Sequence, residues 1–268
     1  PKELLRRGIG ILGVGFLLNV FRYVIPALIK YGLTKESAYL DDMFSLFSVD
    51  ILQFAGLAFI FIALVRKMRL KNTTILLIGV CASLLGMIMR GVSTGSYVTD
   101  QFAGFLWGTA AETFFPFLNW MIFPAAGLIF GSILKRCRDK KNFYLRITPI
   151  CAGLMVIYLI LTICFGFMFT SEGSYYFLGL LDAVFFIILA VMVFGINYAI
   201  LRLFPKISFQ SFKRWSGNIN NIFCIHWTII GFLGIIQMFY EKTDQMKFWQ
   251  VTVIAAILLI VSDRLAAW

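Results

Sequence analysis

Eight long apolar runs, separated by short charged loops, constrain this chain more than any other feature of its sequence. Runs of about 20 apolar residues cross a ~30 Å hydrocarbon core as helices, whereas membrane-spanning strands show about ten residues of alternating polarity. The sequence therefore predicts an all-α polytopic membrane helix bundle of about eight transmembrane helices, in one domain over residues 1–268. The predicted spans are 8–30, 46–65, 73–92, 115–134, 147–170, 175–203, 215–239 and 247–263.

The composition excludes a water-soluble domain. Hydrophobic residues make up 60% of the chain and charged residues 14%, against roughly 45–50% and about 25% in soluble domains. The five cysteines show no CxxC spacing and no pairing in an outer loop, so we expect neither a disulfide nor a metal site. Lipid has to be the solvent for much of this chain.

Basic and acidic loops alternate between the spans. Of the 24 Lys and Arg residues, 18 fall on one side of the predicted membrane. Basic loops stay in the cytoplasm, so both observed ends are predicted to be cytoplasmic, in what we expect to be a bacterial inner membrane. Because the chain opens on Pro1 and not on Met, we also expect an N-terminal piece upstream of it.

The net charge of +11 has two interpretations. In the first, the basic residues set the topology and contact anionic membrane lipids. In the second, part of the basic face attracts an anionic cytosolic substrate, such as the phosphates of coenzyme A. No nucleic-acid-binding module is present in the sequence, so nucleic acid is not an expected partner.

Three further patterns concern helix packing. Segment 93–114 joins small polar residues to an aromatic patch, and it predicts a short interfacial or re-entrant helix on the outer side. Gly8, Gly10 and Gly13 spell GxGxxG, but a membrane span contains them and no strand precedes them, so we do not expect a nucleotide site. Gly127 and Gly131 form a GxxxG pair, which predicts close packing within the bundle or in a homodimer.

Ionisable residues inside membrane spans are costly, and each is a functional candidate by default. Five of the six lie in the predicted outer half, which suggests a polar cavity open to the outside that narrows toward His226 near the midplane. The alternative is that arginine–carboxylate pairs tie helices together, and that the lone histidine is simply a buried polar group. The six are Arg22, Asp50, Arg90, Glu112, Asp182 and His226.

Polar residues near these charges extend the candidate set. Gln53 lies one helical turn after Asp50 and shares its face. Asn119 and Trp120 follow a helix-breaking proline in FFPFLNW (114–120). Asn218 lies at the predicted start of the seventh span, where it either caps the helix or meets a cytosolic ligand.

Three stretches resemble the transmembrane acyltransferase superfamily, closest to heparan-alpha-glucosaminide N-acetyltransferase-like and acyltransferase-3 proteins. They are SVDILQFAGLA (48–58), FFPFLNWMIFPAAGLIFGSIL (114–134) and SGNINNIFCIHW (216–227). In the third, Asn218 and His226 match the asparagine and the histidine of the family's late helix. The chain departs from the family at Phe223, where tyrosine is common, and at Phe54, where arginine is common. The family's key residue near its first helix has no counterpart here.

The resemblance implies an enzyme that moves an acyl group, often acetyl, from cytosolic acyl-CoA to an extracytoplasmic sugar or glycan. We expect His226, Asp50 and Glu112 to be catalytic. The expected substrate-binding residues are Arg22, Gln53, Arg90, Asn119, Trp120, Asp182 and Asn218. Two alternatives remain: a transporter or flippase that uses the same charges as a pathway, and a structural or assembly subunit.

Overall fold

A computed structural model describes residues 1–109, 113–165, 176, 178–206, 208–240 and 248–268. In these ranges the chain is helical and has no strand longer than the isolated bridge between Val49 and Thr113. The helices are α1 (Lys2–Asn19), α2 (Ile25–Thr34), α3 (Ala38–Asp41), α4 (Ile51–Lys67), α5 (Asn72–Met89), α6 (Tyr97–Trp107), α7 (Phe117–Trp120), α8 (Ile122–Arg136), α9 (Lys140–Phe165), α10 (Leu180–Leu203), α11 (Gln210–Tyr240) and α12 (Phe248–Ala266). A π-helical turn, Val20–Val24, links α1 to α2, and a 3₁₀ turn, Asp42–Phe47, follows α3.

Seven helical segments of the described chain are long and apolar enough to cross a membrane. The one predicted span not among these seven is 46–65, which corresponds to α4. This helix has 17 residues and therefore lies at the lower limit for crossing a bilayer. Many large apolar side chains on these helices are exposed, including Ile88, Ile163 and Phe248. The protein is an integral, multi-pass membrane protein, and the predicted all-α polytopic bundle is confirmed.

The short helix predicted within segment 93–114 is α6, of 11 residues. It ends at Gly108, whose φ of +79° is the left-handed conformation that only glycine adopts without strain. Among its described residues the segment therefore forms one short helix and no further span.

The described residues group into two compact units, which we treat separately. Unit 1 comprises residues 1–12 and 49–206, and unit 2 comprises residues 13–48 and 207–268. In unit 1, Val65, Ile75 and Ala125 form a buried core between α4, α5 and α8. The face of α8 that carries Ala125 is therefore packed inside unit 1.

Glycines set the closest helix contacts in unit 1, but not at the predicted GxxxG pair. A Cβ on Gly8 would lie 2.8 Å from the carbonyl oxygen of Gly56, and a Cβ on Gly56 would lie 2.9 Å from that of Gly8. No described atom lies within 4 Å of the Cβ positions of Gly127 and Gly131. Gly8 thus belongs to a helix crossing, whereas the GxxxG surface of α8 stays open.

Candidate functional site

The structure brings four predicted site residues together in unit 1, and we name them the amide–carboxylate cluster: Asp50, Gln53, Asn119 and Trp120. Asp50 begins α4. Its Oδ1 accepts a hydrogen bond from the Ile51 N–H at 2.7 Å, and Gln53 Oε1 accepts one from the Asp50 N–H at 3.1 Å. This is a capping box, which satisfies backbone donors that the first helical turn leaves open.

Asn119 occupies the short helix α7 and is 1% exposed. Ser83 Oγ of α5 donates to its carbonyl oxygen at 3.3 Å. A Cβ on Gly86 would lie 2.5 Å from Asn119 Oδ1, so only glycine fits at that position of α5. The side chain of Asn119 is thereby pressed against the backbone of α5.

The cluster contains buried polar atoms that no described residue satisfies. Both side-chain polar atoms of Asn119 and Nε2 of Gln53 are buried without a hydrogen-bond partner among the described residues. An unpaired buried amide group costs about 1–3 kcal/mol. Such groups call for an explanation, and a polar ligand or water is one that their chemistry allows.

Aromatic contacts join α4 to α7 beside these amides. The ring of Phe54 lies 6.4 Å from that of Phe117 and 6.3 Å from that of Trp120. Trp120 Nε1 donates to the Tyr176 carbonyl at 2.7 Å. Trp120 is therefore oriented both by a ring contact and by a hydrogen bond.

Asp182 is the third residue of α10, and it bonds back to the N-cap Gly179 as Gln53 bonds back to Asp50 in α4. Its Oδ2 accepts a hydrogen bond from the Gly179 N–H at 2.9 Å, and the residue is 3% exposed. Arg90 directly follows α5 and is exposed. Asp50 and Asp182 thus both stabilise helix starts.

A second group of predicted residues comes together in unit 2. The guanidinium carbon of Arg22, in the π-helical turn, lies 3.5 Å from the ring centroid of Trp227 in α11. The imidazole of His226 lies 5.2 Å from that same indole and 5.3 Å from the Phe223 ring. We name Arg22, Phe223, His226 and Trp227 the histidine cluster.

Two residues that sequence reasoning missed hold the π-helical turn in place. Asn19 is 1% exposed, and its Nδ2 donates to the carbonyl oxygens of Leu46 at 3.0 Å and Ser48 at 2.8 Å. A Cβ on Gly231 would lie 2.5 Å from the carbonyl oxygen of Arg22. Asn19 therefore anchors one side of the turn, and Gly231 lets α11 approach the other. Isolated π-turns are frequent at functional sites.

The tautomer of His226 follows from its surroundings. His226 Nδ1 lies 3.1 Å from the carbonyl oxygen of Ile222. A carbonyl oxygen only accepts hydrogen bonds, so Nδ1 carries the proton in the neutral imidazole. The lone pair that can take up a proton is then on Nε2.

Asn218 lies apart from both clusters. Asn218 belongs to α11, which begins at Gln210, so it does not cap that helix. It precedes His226 by eight residues, about 12 Å along the axis. Glu112 lies outside the described residues.

Sequence reasoning also missed an ion pair within unit 2. Arg214 of α11 binds the carboxylate of Asp263 in α12 through Nη2 at 2.5 Å and Nε at 3.2 Å. Asp263 is 7% exposed. Its position at the very end of a predicted span was the available signal. The pair joins two helices and belongs to neither cluster.

The start of α9 and the end of α10 form a groove of about 690 Å³ in unit 1. Lys141 and Arg202 are charged groups in its lining, Tyr144 and Tyr198 stack with ring centroids 4.8 Å apart, and the rest of the surface is mostly apolar. Among the described residues, no three His, Cys, Asp or Glu side chains are close enough to hold a metal ion.

Comparison with protein-family models, with curated proteins and with the solved structures finds no match to this chain.

Proposed function

We propose that this protein is a membrane-bound acyltransferase that moves an acyl group, such as acetyl, from cytosolic acyl-CoA to a sugar or glycan on the other side of the membrane. The resemblance of three stretches to the transmembrane acyltransferases motivates the proposal. The observation that carries it is the histidine cluster, where a hydrogen bond to Ile222 leaves the Nε2 lone pair of His226 available as a base.

In the proposed reaction the acceptor hydroxyl or amine attacks the thioester carbonyl carbon. His226 Nε2 takes the proton of the acceptor, the new C–O or C–N bond forms, and the C–S bond breaks. Coenzyme A leaves as a thiolate, which then takes up a proton. The guanidinium of Arg22, stacked on Trp227, supplies positive charge for the oxyanion that forms at the carbonyl oxygen.

The groove between α9 and α10 suits acyl-CoA. Lys141 and Arg202 offer two cations for its phosphates, while Tyr144, Tyr198 and the apolar lining suit the adenine ring and the pantetheine arm. We place this basic end in the cytoplasm, with both observed ends of the chain, in a bacterial inner membrane, because basic loops are retained there.

Within unit 1, the amide–carboxylate cluster has hydrogen-bonding groups suited to binding a sugar. Sugar hydroxyls both donate and accept hydrogen bonds, so they can satisfy Gln53 Nε2 and the two unpaired side-chain atoms of Asn119. Asp50 and Asp182 hold the starts of α4 and α10. Arg90 and Trp120 complete this set, and Glu112, which lies outside the described residues, remains a predicted catalytic residue.

The test is transfer of a radiolabelled acetyl group from acetyl-CoA by the full chain in native membranes, with total glycans and lipid-linked sugars as acceptors. We expect His226→Gln to lower the rate by 10²–10⁴-fold, the usual contribution of a general base, and Thr228→Ala, one position beyond Trp227, to leave it near that of the parent. Transport of a sugar in proteoliposomes without acyl-CoA, together with no acetyl transfer, would instead favour the transporter alternative.

A further inference from the structure

A second basic groove in unit 1 is distinct from the one between α9 and α10. It has a volume of about 710 Å³ and lies where α4 and α8 end. Arg66 comes from the last turn of α4, and Lys135 and Arg136 come from the last turn of α8. Three cations from two helices therefore line one groove, and none of its described lining residues is acidic.

The three exposed cations give the groove a positive potential that attracts anions. Neither ion pair among the described residues involves these three side chains. The start of α5 adds to the positive potential, because Asn72 Nδ2 donates to Ser132 Oγ of the lining at 2.9 Å. That hydrogen bond brings a helix N-terminus, with its partial positive charge, beside the cations.

Two glycines of α8 line the groove beside the cations. Gly127 and Gly131 lie one turn apart on α8 and have no described atom within 4 Å of their Cβ positions. The opposite face of α8, around Ala125, is packed in the core. A strip without side chains therefore runs from the cations along α8, which belongs to the segment Phe117–Arg136 that is long and apolar enough to cross the membrane.

We infer that this groove binds one anionic phospholipid. The phosphate contacts Arg66, Lys135 and Arg136, and an acyl chain lies over Gly127 and Gly131. Charge complementarity identifies the headgroup, and the glycine strip provides the path for the chain. Basic pockets between membrane helices are typical sites for such lipids, so α8 uses its glycine pair for lipid contact.

The test measures binding of phosphatidylglycerol and phosphatidylcholine to the full chain in detergent by native mass spectrometry. We expect phosphatidylglycerol to bind the parent, and R66Q/K135Q/R136Q to weaken that binding by about fivefold per charge and on the order of 100-fold in all. The matched control, R138Q/K140Q, removes two nearby cations that do not line the groove and should keep binding near the parental value.

A second variant separates charge from shape. G127L/G131L keeps every cation, has room for its new side chains, and should weaken phosphatidylglycerol binding without weakening that of inorganic phosphate. Four results would overturn the inference. Two concern affinity: the parent and the triple variant bind the lipid equally, or the parent and G127L/G131L do. The other two are displacement of the lipid by acetyl-CoA, and a dimer that the G127L/G131L substitutions dissociate. Displacement would assign the groove to the co-substrate, and dissociation would assign the glycine strip to a second copy of the chain.

Discussion

Single residues in this protein show how a costly side chain can have a structural use. Asp50 and Asp182 are carboxylates in the apolar part of the sequence, where each was a functional candidate by default. Each accepts a hydrogen bond from a backbone N–H at a helix start. Because helix starts leave several N–H groups without partners, a buried carboxylate at that position repays part of its desolvation cost.

We expect Asp50→Ala to destabilise the protein by about 0.5–2 kcal/mol, since the alanine side chain accepts no hydrogen bond from the first turn of α4. Asp50→Asn keeps an acceptor oxygen and should stay close to the parent. Thermal unfolding in detergent measures both. If Asn abolishes acetyl transfer while the stability is unchanged, the carboxylate charge acts in the reaction and not only in the cap.

The segment around Asp100, which lies outside the membrane spans, should have a stability that depends on pH. Hydrogen bonds from the Ser93 hydroxyl, and from the backbone and hydroxyl of Thr94, hold the pKa of Asp100 below its ordinary value of 3.8. The ionised form is therefore favoured in the folded loop. Its stabilising effect is complete above the unfolded pKa, about 3.9, and is lost as the pH falls through the folded pKa.

We therefore expect hydrogen-exchange protection of the Thr94 amide to be constant near neutral pH and to fall only below about pH 4. Asp100→Asn should lower the protection at neutral pH and remove this acid transition. A transition of the same midpoint in the Asn variant would contradict the assignment to Asp100.

At the scale of helices, the glycine motifs of the sequence do not identify which glycines make close contacts between helices. The GxGxxG and GxxxG motifs were both visible in the sequence, yet close contacts of the described chain involve Gly8 with Gly56, Gly86 with Asn119, Gly195 with Thr148, and Gly231 with Arg22. A glycine permits close approach only if another element lies opposite it. Spacing along one helix cannot specify that partner.

We expect Gly231→Ala to destabilise the protein by about 1–3 kcal/mol, because the new Cβ would overlap the carbonyl oxygen of Arg22. Gly234→Ala is the matched control on the same helix, since its nearest atom, Lys30 Nζ, would lie at 3.6 Å. Thermal unfolding compares them, and acetyl transfer shows whether the histidine cluster is disturbed. Equal effects of the two substitutions would contradict the close contact.

At the scale of the whole molecule, exposed apolar surface dominates. The described helices leave many of their large apolar side chains exposed, which a soluble protein of this size would not tolerate. Lipid therefore completes the structure. The basic residues at the ends of α4, α8 and α10 then lie where phosphate headgroups and anionic substrates are found.

The proposed orientation predicts which loops a membrane-impermeant maleimide reaches in intact cells. In a background without the five native cysteines, Ser93→Cys should be labelled from outside. Asp139→Cys, in the basic loop between α8 and α9, should be labelled only after the membrane is permeabilised. The reverse pattern would overturn the orientation and would leave the helical bundle unaffected.

The sequence by itself determined the helical, membrane-spanning character of this protein and the approximate bounds of its spans. Hydropathy is a local property, and a span of about 20 apolar residues satisfies its own backbone hydrogen bonds as a helix. Even the short helix α6 was visible, because polar residues and Gly108 limit its length.

Only the tertiary structure decided what the singled-out residues contact. It placed Arg22 on Trp227 beside His226, turned Asp50 and Asp182 into helix caps, and showed that Asn19 and Gly231 support the π-helical turn. It also left Gly127 and Gly131 open beside three cations. Such contacts join residues that are distant in the chain, and they depend on how helices pack, which the periodicity of any one helix does not encode.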